Sequence, residues 1–254
     1  NGRITLCVSS QVGCPMQCGF CATGKLGFKR NLTTEEITDQ VLFFNRYLKK
    51  NQKPPVGNVV FMVMGEQFLN YDNVMGAVRL LNDHAAFNIG QRHISVATAG
   101  VVPGSKKFAD EKLQVHPVAD ASLSRLSSSA AIADNFSSNT ANKRKNGIGV
   151  NLAISLHAVN DTVRSGIMLV NKQYPIAEIM AAAREYVDKT NRRLMFEYLL
   201  LDGLNDSEKD ARKLAEMMSE NKLYFVNLII YNETGIFNPP SKSKSIKARE
   251  AKKG

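Results

Sequence analysis

Six apolar runs separated by amphipathic stretches constrain this chain more than any other feature. They are Ile4–Ser9, Gly57–Met64, His93–Thr98, Val150–Leu156, Leu194–Leu201 and Tyr224–Tyr231. GNVVFMVM is continuous rather than alternating, as a strand buried on both faces should be. Gly100 and Pro103 end the third run, and between the runs lie helical patterns. Thr33 or Thr34 reads as an N-cap, with Glu36 near the first turn of a helix that runs towards Lys50. Val74–Asn82, Ile176–Lys189 after Pro175, and Ser207–Asn221 follow the same logic. Strands alternating with helices predict an α/β fold with a parallel sheet and right-handed crossovers. A partial α/β barrel and an open doubly wound sheet both satisfy this pattern.

One stretch breaks the rhythm. Residues 104–148 are rich in Ser, Asn and Lys, and read as a low-complexity, disordered insertion. Residues 238–254 read as a basic, disordered tail. The rest is globular in composition, 44% hydrophobic, with no apolar run long enough to span a membrane. The start, Asn1-Gly2-Arg3-Ile4, has no initiator Met and no leader. We therefore expect residues 1–254 to be a core excised from a longer protein, monomeric and cytoplasmic. An organelle stays open, because targeting information would be lost with the missing start. The net charge of +10 suits a polyanion such as RNA. Much of that excess lies in Lys143-Arg144-Lys145 and in the tail, where like charges are commonly just solvated.

All four cysteines lie between Cys7 and Cys21. Disulfide frameworks spread their cysteines, so a tight cluster without a secretion signal reads as a metal or redox site. Cys14, Cys18 and Cys21 have the spacing C-x3-C-x2-C, with Gly13, Gly19 and Gly24 letting the loop wrap closely. Three soft thiolates can hold three irons of a [4Fe–4S] cube and leave the fourth open. S-adenosylmethionine (SAM) can chelate an open iron, and an electron can then cleave its sulfonium. The competing reading is structural zinc with Cys7 as fourth ligand. Zinc sites usually pair C-x2-C hairpins, and only one such pair exists here, so the cluster is favoured.

A set of motifs in order carries a family resemblance. They are Leu6–Cys14 (LCVSSQVGC), Gly27–Thr33 (GFKRNLT), Met64-Gly65-Glu66, Gly100–Pro103 (GVVP), Ile154–Ala158 (ISLHA) and Asn227–Asn232 (NLIIYN). The chain resembles the RlmN/Cfr family of radical-SAM methyltransferases, which modify adenine in large-subunit rRNA and, in some members, tRNA. The resemblance implies a radical-SAM partial (β/α)6 TIM-like barrel, with a [4Fe–4S] cluster on Cys14, Cys18 and Cys21 and SAM at the strand C-terminal ends. It implies Glu66, with Gln67 beside it, at the SAM amino group. Ser155, Leu156 and His157 would be further SAM contacts, and Asn232 would touch the adenosine. It implies a methyl-cysteine ping-pong that methylates carbon 2 of adenine. Cys7 would release the product by forming a disulfide with a methyl-carrying cysteine. The partners implied are rRNA or tRNA and an electron donor such as a flavodoxin or ferredoxin.

Taken singly, these residues have plainer readings. A strand cysteine is commonly a small hydrophobe. A strand-end His is usually a structural donor, and an Asn after a strand a turn residue. The chain also departs from the family. Gly65-Glu66-Gln67 stands for Gly-Glu-Pro, and Ala97-Thr98-Ala99-Gly100 for Ser-Thr-x-Gly. The family's RNA-binding N-terminal domain and catalytic Glu precede this start, and no Cys follows Cys21. The expectation is a chain that binds cluster and SAM but does not methylate RNA unaided. Two further readings are a degenerate, non-catalytic RNA-binding homologue and a radical-SAM enzyme of other chemistry.

Overall fold

The computed structural model describes residues 2–112 and 148–232. Strand β1 (Ile4–Cys7) leads into an antiparallel pair, β2 (Gln11–Gly13) and β3 (Phe28–Asn31). This pair brackets the cysteine loop and its short helix α1 (Ala22–Lys25). Helix α2 (Thr34–Lys50) starts at a capping box, as its sequence predicts. Glu36 N donates to Thr33 Oγ1 at 3.3 Å, and Thr33 N to Glu36 Oε2 at 3.0 Å. Strand β4 (Val56–Phe61), helix α3 (Tyr71–Asn82), β5 (Ile94–Thr98) and α4 (Val102–Asp110) follow. Then come β6 (Asn151–Ser155), α5 (Asp161–Ile167), α6 (Ile176–Thr190), β7 (Leu194–Leu200), α7 (Glu208–Ser219) and β8 (Tyr224–Ile230).

The six long-range strands pair in parallel in the order β1-β4-β5-β6-β7-β8. This order never reverses, whereas a doubly wound sheet grows outward from a switch point. The sheet curls into a half-barrel, which selects the partial barrel of the two candidate architectures. Val59, Ile94, Val96 and Phe196 from the strands are fully buried, with Val78, Phe108 and Tyr186 from the helices. Tyr186 keeps its hydroxyl satisfied by donating to Val150 O at 2.9 Å. Edge strand β8 leaves Phe225, Leu228 and Ile230 exposed. Among the described residues no helix is long and apolar enough to cross a membrane.

The insertion expected from residue 104 begins later. Gly104–Asp110 belong to α4, and Ser105, Phe108 and Ala109 are buried. Pro103 reads as a stop after β5, yet it occupies the first turn of α4, where its missing N–H is no loss. Gly104 packs on Phe68 so closely that a Cβ would overlap the ring's stem. The remainder of that stretch, 113–147, and the tail at 238–254 lie outside the described residues. Helix α5 and the β2–β3 pair have no counterpart in the sequence reading.

Candidate cluster and cofactor site

A cavity of about 350 Å³ opens at the C-terminal ends of the parallel strands, where ligands bind in such architectures. Cys14, Cys18 and Cys21 line one wall. Their loop is pinned at both ends and in the middle. Cys14 N donates to Gly27 O at 3.2 Å, and Gly19 N donates to Ile167 O at the end of α5 at 2.8 Å. Cys21 N closes a turn onto Cys18 O at 3.1 Å. Gly13 has φ +79°, and a Cβ there would overlap the Gly27 carbonyl, so this approach demands glycine.

The donor set fits an iron–sulfur cluster. Burial pushes the Cys18 thiol up to about 12, and the neighbouring Cys21 and Cys14 add to it by repulsion. Burial likewise raises Cys14. Metal-free, such thiols stay protonated, and cations that bond to sulfur must displace those protons. Among the described residues no three Cys, His, Asp or Glu side chains converge on the point of a single ion. A cube asks for three separate iron–sulfur bonds instead. Cys7, which the zinc reading needs, ends β1 with its side chain reaching solvent and is not part of the cavity wall. Strand neighbours shield its sulfur enough to raise its pKa, and Glu197 adds to this by repulsion.

Glu66 lines the same cavity, buried and already well bonded. Its carboxylate accepts from Thr98 Oγ1 at 2.7 Å, Ala99 N at 2.6 Å and Phe68 N at 3.1 Å. Burial raises its pKa, and these three bonds oppose that rise. Thr98 Oγ1 in turn accepts from Gly100 N and Val101 N, so Thr98 ties the Glu66 loop to the end of β5. Gln67 lines the cavity but turns its amide into the sheet, donating to Phe61 O at 2.8 Å. Ala97 also lines the wall, and its side chain offers no polar atom.

Ser155 and His157 reach the cavity; Leu156 and Asn232 do not. The Leu156 side chain is fully buried in the core, because strand neighbours point to opposite faces. Asn232 lies exposed beyond β8, and Tyr231 takes the wall position instead. His157 has φ +55° and is buried. Its Nδ1 accepts from Leu199 N at 3.0 Å, which leaves the proton on Nε2. Its ring meets Phe20 edge-on, with centroids 4.9 Å apart. Burial, then repulsion from Arg164, lowers its pKa from 6.5 to about 3, so the ring is a neutral donor rather than a proton carrier.

A pH dependence follows. Below about 6.5 the unfolded chain takes up a proton that the folded ring refuses until about 3. His157 thus stabilises the fold fully above its unfolded pKa. That contribution drains away as pH falls towards 3, by up to about 1.36 kcal/mol per pH unit. His157→Asn, tolerable at a left-handed residue, should flatten this slope. Urea melts of the metal-free protein across the window check it; parallel wild-type and variant curves would show that the folded ring protonates normally.

Two cavity-side residues escape the sequence reading. Glu197 of β7 lines the wall, its pKa raised by burial and held down by Asn227. Arg164 of α5 is 0% exposed. Its guanidinium donates to Leu156 O at 2.9 Å, Asn171 Oδ1 at 2.9 Å, Ala99 O at 2.7 Å and Ser155 O at 2.8 Å. It clamps the ends of β5 and β6 behind the cavity. The only hint in sequence is an Arg following the helix-capping Asn160 by four residues.

Comparison with known proteins agrees with this architecture. The profile of the radical SAM superfamily matches residues 8–148. A protein named probable dual-specificity RNA methyltransferase RlmN from Dictyoglomus turgidum is 39% identical over 233 residues, 92% of this chain and 56% of that protein. One of the same name from Heliobacterium modesticaldum is 42% identical over 231 residues, 91% of this chain and 51% of that protein. The crystal structure of a radical SAM methyltransferase from Sphaerobacter thermophilus matches with a TM-score of 0.74 at 39% identity, covering 91% of this chain and 57% of that one. Methylornithine synthase, at 13% identity and a TM-score of 0.54, shares the fold alone. The chain spans about half the length of the curated relatives it matches. With the superfamily profile covering more than half of its residues, the chain belongs to the radical SAM superfamily.

Proposed function

We propose that this chain is the cluster- and SAM-binding core of an RNA methyltransferase of the RlmN type. The observation that carries the reading is one cavity at the strand ends, walled by the C-x3-C-x2-C cysteines, Glu66, Ser155 and His157. Cys14, Cys18 and Cys21 would hold a [4Fe–4S] cluster. When bound, the cluster supplies the electron that cleaves SAM to a 5′-deoxyadenosyl radical.

The chain's own residues bind and orient. The Glu66 loop offers a buried negative charge towards the SAM ammonium, and His157 Nε2–H and Ser155 offer polar contacts. Met16, Met168, Leu199 and Ile229 give an apolar wall that keeps water from the radical chemistry. The finer reading is methylation of carbon 2 of adenine in rRNA or tRNA by a methyl-cysteine ping-pong, with a flavodoxin or ferredoxin as donor. Cys7 would resolve the protein–RNA link: its thiolate bonds to the methyl-carrying sulfur, the bond from that sulfur to the adenine-linked carbon breaks, and the carbon leaves with the electron pair and takes up a proton to give the methyl product. This chemistry needs a methyl-carrying cysteine besides Cys7 and the three cluster ligands, and these four are all that this sequence holds. The two compared relatives are longer, and the matched region is 56% of one and 51% of the other. Reduced, reconstituted protein should release 5′-deoxyadenosine from SAM. With RNA and a polypeptide supplying the missing cysteine, it should yield 2-methyladenosine by mass spectrometry. No SAM cleavage would sink the enzymatic reading; cleavage without methylated adenine would point to other radical chemistry.

A further inference from the structure

Arg164 is an unusual residue to find at 0% exposure. Buried cations are normally matched by an anion within bonding distance. All four bonds of this guanidinium go to neutral acceptors, three main-chain carbonyls and the Asn171 amide. Asp161 does not touch it. Asn171 stands between them, its Oδ1 accepting from Arg164 and its Nδ2 donating to Asp161 Oδ1 at 3.0 Å. Asp161 Oδ1 also accepts from Ile176 N at 2.8 Å.

The charge lies directly behind the cavity wall. Two of its carbonyl partners belong to Ala99 and Ser155, both on the cavity wall. Its own helix ends on Ile167, whose carbonyl holds Gly19 between Cys18 and Cys21. Arg164 lies near enough to Cys18 to favour its thiolate, the form a cluster would bind.

We infer that Arg164 is the fixed countercharge of the iron–sulfur cluster and sets the potential at which the cluster accepts its electron. The inference rests on the cluster reading above. A cluster held by three thiolates is net negative, and the incoming electron makes it more so. One electron moves from a low-potential donor, dithionite in the test, to the cluster; no proton or leaving group moves. A buried cation nearby favours the more negative state, and salt screens it little. Charge and hydrogen bonding around a cluster are the protein's levers on its potential. Arginine suits this post better than lysine, because its fork also ties two strand ends together and keeps its proton.

The test is an EPR-monitored redox titration of the reconstituted chain, residues 1–254. Arg164→Gln should lower the reduced-to-oxidised ratio at the wild-type midpoint at least tenfold, about 59 mV for a one-electron couple. Arg164→Lys, which keeps charge but loses the fork, should stay within about threefold of wild type. Both should melt earlier when metal-free, so stability does not separate the two roles, and the potential does. Equal potentials in wild type and Arg164→Gln, or an equal fall in both variants, would overturn the inference. If Arg164→Gln holds no iron, Asp161→Asn decides. It keeps Arg164 and removes the opposing carboxylate, so the ratio should rise, and an unchanged or lower ratio overturns the inference. Wild type that takes up no iron would instead overturn the cluster reading, and this inference with it.

Discussion

Replacing any one of Cys14, Cys18 and Cys21 with Ala should abolish iron uptake, while Cys7→Ala should leave it intact. Wild type should take up about four irons and four sulfides per chain under anaerobic reconstitution, as a cysteine-ligated cube does. Each of the three sulfurs would supply a separate corner, and among the described residues no His, Asp or Glu joins them as a convergent metal-binding group. The loop itself should survive each substitution, because it is held by main-chain bonds from Cys14, Gly19 and Cys21 rather than by the thiols. Melting temperature of the metal-free protein should therefore move little. Iron and sulfide analysis and the visible absorbance band read the outcome. Stoichiometric zinc without iron, in carefully prepared protein, would reject the cluster; loss of iron in Cys7→Ala would make Cys7 a ligand.

Glu66→Ala should be damaging in two ways. The sequence alone predicts only weaker SAM binding, roughly tenfold to a hundredfold for a lost charge-assisted contact. The structure adds a stability loss. Without the carboxylate, Ala99 N, Phe68 N and Thr98 Oγ1 lose a buried acceptor. An unsatisfied buried donor costs about 1–3 kcal/mol, so the metal-free protein should lose roughly 3 kcal/mol or more. Glu66→Gln keeps an acceptor oxygen but turns an amide N–H₂ towards one of these donors, and should fall in between. Denaturant melts and equilibrium dialysis with labelled SAM measure the two effects separately. Unchanged stability would show that the Glu66 network does not hold the loop; unchanged affinity would remove Glu66 from the SAM site.

What the motifs leave open is direction in space. ISLHA sits at the end of β6 as its motif implies, yet only Ser155 and His157 face the cavity, since the pleat sends Leu156 into the core. Asn232 follows β8 in sequence, but the wall ends one residue earlier, at Tyr231. Pro103 marks a boundary correctly and its type wrongly, because a proline can open a helix as readily as close a strand.

Local chemistry was enough to determine the six strands of the parallel sheet, the caps at Thr33 and Ser207, and the cysteine loop. Unbroken apolar runs, capping hydroxyls and three closely spaced thiols each act within a few residues of themselves. The strand order, the half-barrel and the buried Arg164 were decided only in three dimensions. Strand order depends on which edges meet, and no periodicity along the chain encodes that. A buried guanidinium needs acceptors from Ala99, Ser155, Leu156 and Asn171, which only the folded sheet brings together around one side chain.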